Sequence, residues 1–210
     1  MKEEPIEQFE HEGVTVKIYQ DTDAEGPDTW GDDNAFLVHY HWDFTIKRDK
    51  IITEDDARDF YQGNKSESLR ELQKKYHFFT VAAYVHSGVS LSLGEGAHFP
   101  DQRWDVSHMG LYLCAKSEWR LRKKAEKYAR AAIETWNQYL SGDVYGYVVE
   151  DKAGEHLDSC WGYYGMEEVK AEGLSVAKHW ADKYRKLREK KLKAVIRNRV
   201  TLEKRAEVLA

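Results

Sequence analysis

A histidine, a carboxylate and a thiol recur at every second position in His156-Leu-Asp-Ser-Cys160. In an extended strand that spacing puts His156, Asp158 and Cys160 on one face, with Leu157, Ser159 and Trp161 on the other. Thiol, imidazole and carboxylate are the parts of an activated cysteine nucleophile, so these three are the candidate catalytic residues. The same strand limits them. Four extended residues separate Cys160 from His156 by more than about 12 Å, so any base for the thiol must come from a neighbouring strand. A second set lies in Ala35-Phe-Leu-Val-His-Tyr-His-Trp-Asp-Phe-Thr-Ile46. Here Phe36, Val38, Tyr40, Trp42 and Phe44 line one face, while His39 and His41 share the other. Two imidazoles can turn toward one metal ion, which makes them candidate ligands, yet no local spacing supplies the third and fourth. The third set is Ala97 to His108, where Asp101, Arg103, Trp104, Asp105 and His108 crowd together. Either they are a structural network in which Arg103 bridges carboxylates and Trp104 plugs the core, or they form a ligand site; the structural account is expected. No cofactor is expected.

The elements that position these residues follow from periodicity. Two β-rich runs within Val144–Gly165 flank the turn-length Asp151-Lys-Ala-Gly154, so an antiparallel hairpin is predicted, central to the fold. Val14–Tyr19 reads as a first strand, followed by an acidic loop broken at Gly26-Pro27. Thr53 and Ser66 open two short helices, with Thr53 a candidate N-cap. Phe78–His86 and Val89–Leu93 give a strand, turn and strand, and Met109–Cys114 a buried strand. From Ser117, the candidate N-cap, to Leu140 a helical stripe runs through Leu121, Ala125, Tyr128, Ala132, Trp136 and Tyr139. A last helix begins at Met166, with a weak point at Gly173. The expected fold is α+β: a single domain over 14–190 with a mainly antiparallel sheet and both long helices on one face. Residues 1–13 are expected as an acidic tail and 191–210 as a basic helical extension.

At 210 residues the chain is long enough to bury one sizeable core. Its charged fraction of 33 % and mean hydropathy of −0.75 leave no apolar run of bilayer-spanning length, which excludes a helical membrane span. The start Met-Lys-Glu-Glu-Pro-Ile-Glu lacks signal-peptide character, so a cytoplasmic protein with Cys114 and Cys160 reduced is expected. Charge is polarised along the chain. Residues 1–33 hold eleven acids, Asp21, Asp23 and Glu25 among them, against two lysines, a formal −9; residues 183–205 hold eleven Lys/Arg against two acids, a formal +9. The candidate binding residues are therefore Lys183, Arg185, Lys186, Arg188, Lys190, Lys191, Arg197 and Arg199 at one end, and those three acids at the other. The acidic loop lacks the EF-hand spacing, so calcium is not expected there.

Arg103-Trp-Asp-Val-Ser-His-Met-Gly-Leu-Tyr-Leu113, then Tyr145-Gly-Tyr147 and Asp158-Ser-Cys-Trp-Gly-Tyr-Tyr-Gly165, resemble a family of small uncharacterised proteins encoded by phages and other mobile elements. The opening Val16-Lys-Ile-Tyr-Gln-Asp-Thr-Asp-Ala-Glu25 is similar too, so the resemblance spans about 14–165 and leaves out the basic helix. It implies a genetic context and, by analogy, an accessory protein that binds a host machine in the host cytoplasm, such as a nucleic-acid-directed defence complex of the CRISPR type. A non-enzymatic binding protein and inhibitor is the first expectation, with a host protein or nucleoprotein complex as partner. The alternatives are a small hydrolase-like enzyme using the Cys/His or His-metal set, and a nucleic-acid-binding protein using the basic helix. Self-association through the opposed charges is a further expectation.

Overall fold

The structure is a computed structural model in which residues 4–30, 34–39, 52–64, 66–100, 104–199 and 204 are described. The α+β class holds, but the strands are shared between two antiparallel four-stranded sheets, and the two long helices serve different sheets. The chain divides into two compact units, residues 1–22 with 144–210, and residues 23–143, the second inserted between two strands of the first.

In the first unit, β1 (Glu7–His11), β2 (Val14–Gln20), β7 (Val144–Glu150) and β8 (His156–Tyr164) pair in the order β1-β2-β7-β8. Residues 7–11 are thus a strand and not part of a tail. Their hairpin closes through Glu12 and Gly13, both at positive φ (48° and 83°), the two-residue turn that matches strand twist. The β7–β8 hairpin forms at the predicted turn, where Asp151 Oδ1 accepts hydrogen bonds from the backbone N–H groups of Ala153 (2.8 Å) and Glu155 (3.0 Å). Helix α4 (Met166–Arg199) covers one face of this sheet. Val14, Val16, Ile18, Tyr147 and Val149 meet Val169, Ala177 and Ala181 there. Gly173 is no weak point in α4: a Cβ there would come within 2.8 Å of Val16 Cγ1, so the missing side chain is what lets helix and sheet approach. The helix also runs unbroken past residue 190, with no boundary between domain and extension.

In the second unit the order is β3 (Ala35–His39), β6 (Val106–Ala115), β4 (Tyr76–Val85), β5 (Val89–Leu93). Both faces are covered. Leu37, Phe79, Tyr112 and Cys114 pack against Ala125, Ala129, Ile133 and Trp136 of α3 (Arg122–Ser141). Phe36, Val38, Phe78, Leu111 and Leu113 pack against Ala57 and Leu69 of α1 (Glu54–Tyr61) and α2 (Glu67–Lys75). A sheet covered twice needs apolar residues on both faces, so β3 is buried along its whole length. Thr53 caps α1 as predicted, in a full capping box with Asp56, and Ser66 caps α2. Ser117 does not cap α3. The N–H groups of Glu118 and Trp119 turn back onto the Ala115 carbonyl, and His77 Nε2 lies 2.8 Å from the Trp119 carbonyl oxygen, so the chain spends 116–121 on a tight turn before the helix starts. At the other end Gly142, at φ 73°, closes α3 in a left-handed cap.

Candidate functional site

Strand β8 is an edge strand whose register against β7 slips twice. Cys160 lies opposite Tyr147 and Asp158 opposite Val149, so both point to the face that α4 covers. The next partner is His156 opposite Glu150, because Leu157 is the extra residue of a bulge. Glu150 follows the buried Val149 and points the other way, where Lys17 holds it at 2.6 Å. His156 is therefore on the opposite face from Cys160 and Asp158. The predicted shared face is broken by one inserted residue, and the imidazole cannot serve the thiol.

What surrounds Cys160 instead is a pair of tyrosines and two carboxylates. Burial pushes the Tyr163 hydroxyl above its ordinary range, and its hydrogen bond with Cys160 and the nearby negative groups, Glu172 among them, push the same way. Burial likewise raises Tyr147, helped by Asp158 and Cys160 and opposed by a hydrogen bond with Tyr163. The charges acting on these hydroxyls are all negative. The hydrogen bonds join Cys160, Tyr163 and Tyr147 within the sheet, and Glu172 of α4 acts on both tyrosines through its charge. Tyr147, Tyr163 and Glu172 were not singled out from sequence, since their convergence depends on the second slip, at Gly162.

That slip gives Asp21 its role. Gly162, at φ 81°, donates its backbone N–H to Asp21 Oδ2 at 3.0 Å, so this acid anchors the bulge. On the outer face the slip turns Trp161 onto Tyr19, ring centroids 6.2 Å apart, and over Gly146, where a Cβ would come within 2.2 Å of the indole. Of the other acids proposed for binding, Glu25 accepts the Thr29 hydroxyl hydrogen bond at 3.3 Å, and Asp23 is exposed.

His39 is buried at the end of β3, paired with Gly110. His41 lies outside the described residues, as do Asp101 and Arg103. Among the described residues no three His, Cys, Asp or Glu side chains are grouped to hold a metal ion. Trp104 is 86 % exposed and does not plug the core, which corrects its predicted anchoring role. The reason lies in where β6 begins. From Val106 onward the chain is in the sheet, the Asp105 carbonyl accepts the Val85 N–H at 2.9 Å, and Trp104 is left before the strand's first covered position. His108 is on β6 itself, its ring 4.5 Å from Tyr61. Tyr61 in turn bridges β4 and β6 at the β6 bulge, its hydroxyl accepting from the Val81 N–H at 3.0 Å and donating to the Gly110 carbonyl at 2.7 Å.

The basic residues are all on α4. Packing against the first unit's core reaches Tyr184; of residues 185–199 only Ile196 is buried. Lys183, Lys186, Lys190, Lys193 and Arg197 recur at spacings of three and four, which places them in one stripe roughly 21 Å long. Lys183 lies 3.8 Å over the Trp180 ring, and Arg185 pairs with Asp182. Arg188 and Lys191 border a hollow of about 300 Å³ with Glu12, Asp151 and Lys152. Arg199 closes the described helix. Leu187, Leu192 and Val195 are each about half exposed; at 3.6 residues per turn Leu187 flanks the stripe, while Leu192 and Val195 lie on the opposite side of the helix.

A cavity of about 200 Å³ in the second unit, between the 3-10 turn Pro27–Trp30 and α3, was not foreseen. Its only signal in the sequence is the aromatic Trp30 in an acidic loop. Comparison with protein-family models, with curated proteins and with solved structures gives no match.

Proposed function

We propose that this chain is a non-enzymatic binding protein, an accessory protein of a phage or other mobile element, that docks through the distal half of α4 onto an acidic face of a host macromolecular complex. Inhibition of a nucleic-acid-directed defence system in the host cytoplasm is the role that fits the resemblance in residues 14–165. One observation carries the binding surface: the distal helix presents a five-residue cationic stripe on one side, flanked by half-exposed Leu187, and half-exposed Leu192 and Val195 on the other. Like charges at these spacings repel, so the stripe gains little within its own helix and gains from an anionic partner. Exposed aliphatic side chains gain only when a partner covers them, and that favours a protein over a bare phosphate backbone.

Direct nucleic-acid binding is the alternative, favoured by the stripe alone, since phosphate contacts need only Lys and Arg. Two variants separate these. K186E/K190E/K193E removes the stripe, and L192S/V195S removes the apolar strip. Loss of a salt-sensitive host partner in both variants is the expected result. Salt-sensitive DNA or RNA binding that survives L192S/V195S unchanged supports the nucleic-acid alternative. A partner set unchanged in both variants overturns the role of α4.

A further inference from the structure

The cavity beside the 3-10 turn is walled by aromatic rings: Trp30 at its mouth, Tyr128 from α3, and Tyr112 and Trp136 behind. Two of these rings are buried, Tyr112 and Trp136 at 4 % exposure each, so the back wall is fixed by the core. The two at the mouth are not, with Trp30 55 % and Tyr128 39 % exposed. Among the described residues lining the cavity, Asp28 is the one charged side chain, and no lysine, arginine or histidine lines it. Its carboxylate is held back over the chain. Asp28 Oδ1 lies 2.7 Å from where a Cβ on Gly26 would be, a position only glycine leaves open. The Gly26 carbonyl accepts the Thr29 N–H at 3.0 Å and the Thr29 hydroxyl at 2.9 Å, which fixes the turn carrying both Asp28 and Trp30.

Aromatic faces present the negative side of their quadrupole, and one carboxylate adds a full charge. The complementary ligand is a cation with an apolar shell. At about 200 Å³ the cavity is smaller than the roughly 300–1,000 Å³ of sites that take drug-sized molecules. It suits a headgroup or a side-chain end. A neutral apolar ligand would bury the rings equally well but leave Asp28 uncompensated, and an anion would meet both the carboxylate and the ring faces.

We propose that this cavity is a binding site for an organic cation, an alkylammonium group held by the Trp30 and Tyr128 rings and paired with Asp28. The site belongs to the second unit, and it stands or falls independently of the α4 surface. The ammonium can come from a free small molecule or from a lysine side chain of a partner protein.

The test is a titration of the full chain with choline and with its neutral isostere 3,3-dimethylbutan-1-ol, followed on the indole N–H resonance of Trp30, assigned with a Trp30→Phe variant. Choline is expected to bind about tenfold or more tightly than the isostere, in line with one desolvated cation–π contact plus an ion pair. In Asp28→Asn the preference for choline should fall roughly tenfold while the isostere's affinity stays the same. Equal binding of the two, or no shift with either, overturns the proposal, as does a preference that Asp28→Asn leaves intact. Retained isostere binding also shows that the variant still folds. Nα-acetyl-lysine N-methylamide and its norleucine counterpart then identify the source. A lysine derivative that binds more tightly than choline assigns the site to a partner's side chain, and the reverse order assigns it to a free ammonium compound; both orders uphold the cation site.

Discussion

Asp56 illustrates how far a single side chain in this protein is defined by its partners. Its carboxylate accepts from the Thr53 backbone N–H at 3.2 Å, from the Thr53 hydroxyl at 2.8 Å and from Ser68 at 2.9 Å. Partial burial alone pushes its pKa up, and these hydrogen bonds more than reverse that, leaving it below the ordinary 3.8. A carboxylate with a depressed folded pKa adds stability at pH values above the unfolded pKa, and loses it as pH falls through the folded one. Asp56→Asn should therefore cost about 1 kcal/mol near neutrality and flatten the loss of stability below about pH 4, read from urea unfolding across pH. Trp104 gives the opposite case. With 86 % of its surface exposed, Trp104→Ala should change stability by no more than about 0.5 kcal/mol. A large drop in melting temperature would return this residue to a structural role.

Among the elements, α4 is the one whose two halves obey different rules. Its first half is held by a face of small residues, Gly173, Ala177 and Ala181, that lets the helix lie close on β2 and β7. Gly173→Ala raises intrinsic helix propensity by about 1 kcal/mol, yet the new methyl would press on Val16 at 2.8 Å. Overpacking of that kind typically costs about 1–3 kcal/mol, so net destabilisation is expected. Gly173→Ala combined with Val16→Ala, which opens the space, should recover part of it. A Gly173→Ala single variant more stable than the parent chain would show that helix and sheet are not in close contact at this point. Of residues 185–199 only Ile196 is buried, and the other side chains of this second half are dominated by charge.

For the whole molecule, that division predicts where the chain can be shortened. Tyr184 packs on the first unit's core and contacts Trp180, so a chain ending at Lys183 would lose part of the fold along with the basic stripe. Ending instead at Glu189 should leave the melting temperature nearly unchanged while abolishing salt-sensitive partner binding or self-association, measured by sedimentation at low and high salt. Folding loss in the Glu189 form would mean that the distal helix is part of a core. Undiminished binding would move the contact to another surface. No helix among the described residues is long and apolar enough to cross a membrane.

Much of the local order was legible in the chain itself. Thr53 as a cap and Asp151–Gly154 as a hairpin turn each follow from interactions within a few residues, where side-chain chemistry and backbone preference suffice. Alternation likewise marked β2, β4, β6 and β7. Three things lay beyond it. Two sheets look like one when strands are read singly, because alternation tells which side of a strand is buried and not which strands pair. The face carrying Cys160 could not be foreseen, because the extra residue at Leu157 reverses every side chain beyond it, and the bulges are stabilised by partners as remote as Asp21, 141 positions from Gly162. The aromatic cavity joins residues from 27–30, 35–37, 112 and 128–136, which come together only when α3 closes over the sheet. Sequence determined most of the elements, though not β1, and the charge of α4; tertiary structure alone decided which side chains meet, because register and layer order are set by long-range packing.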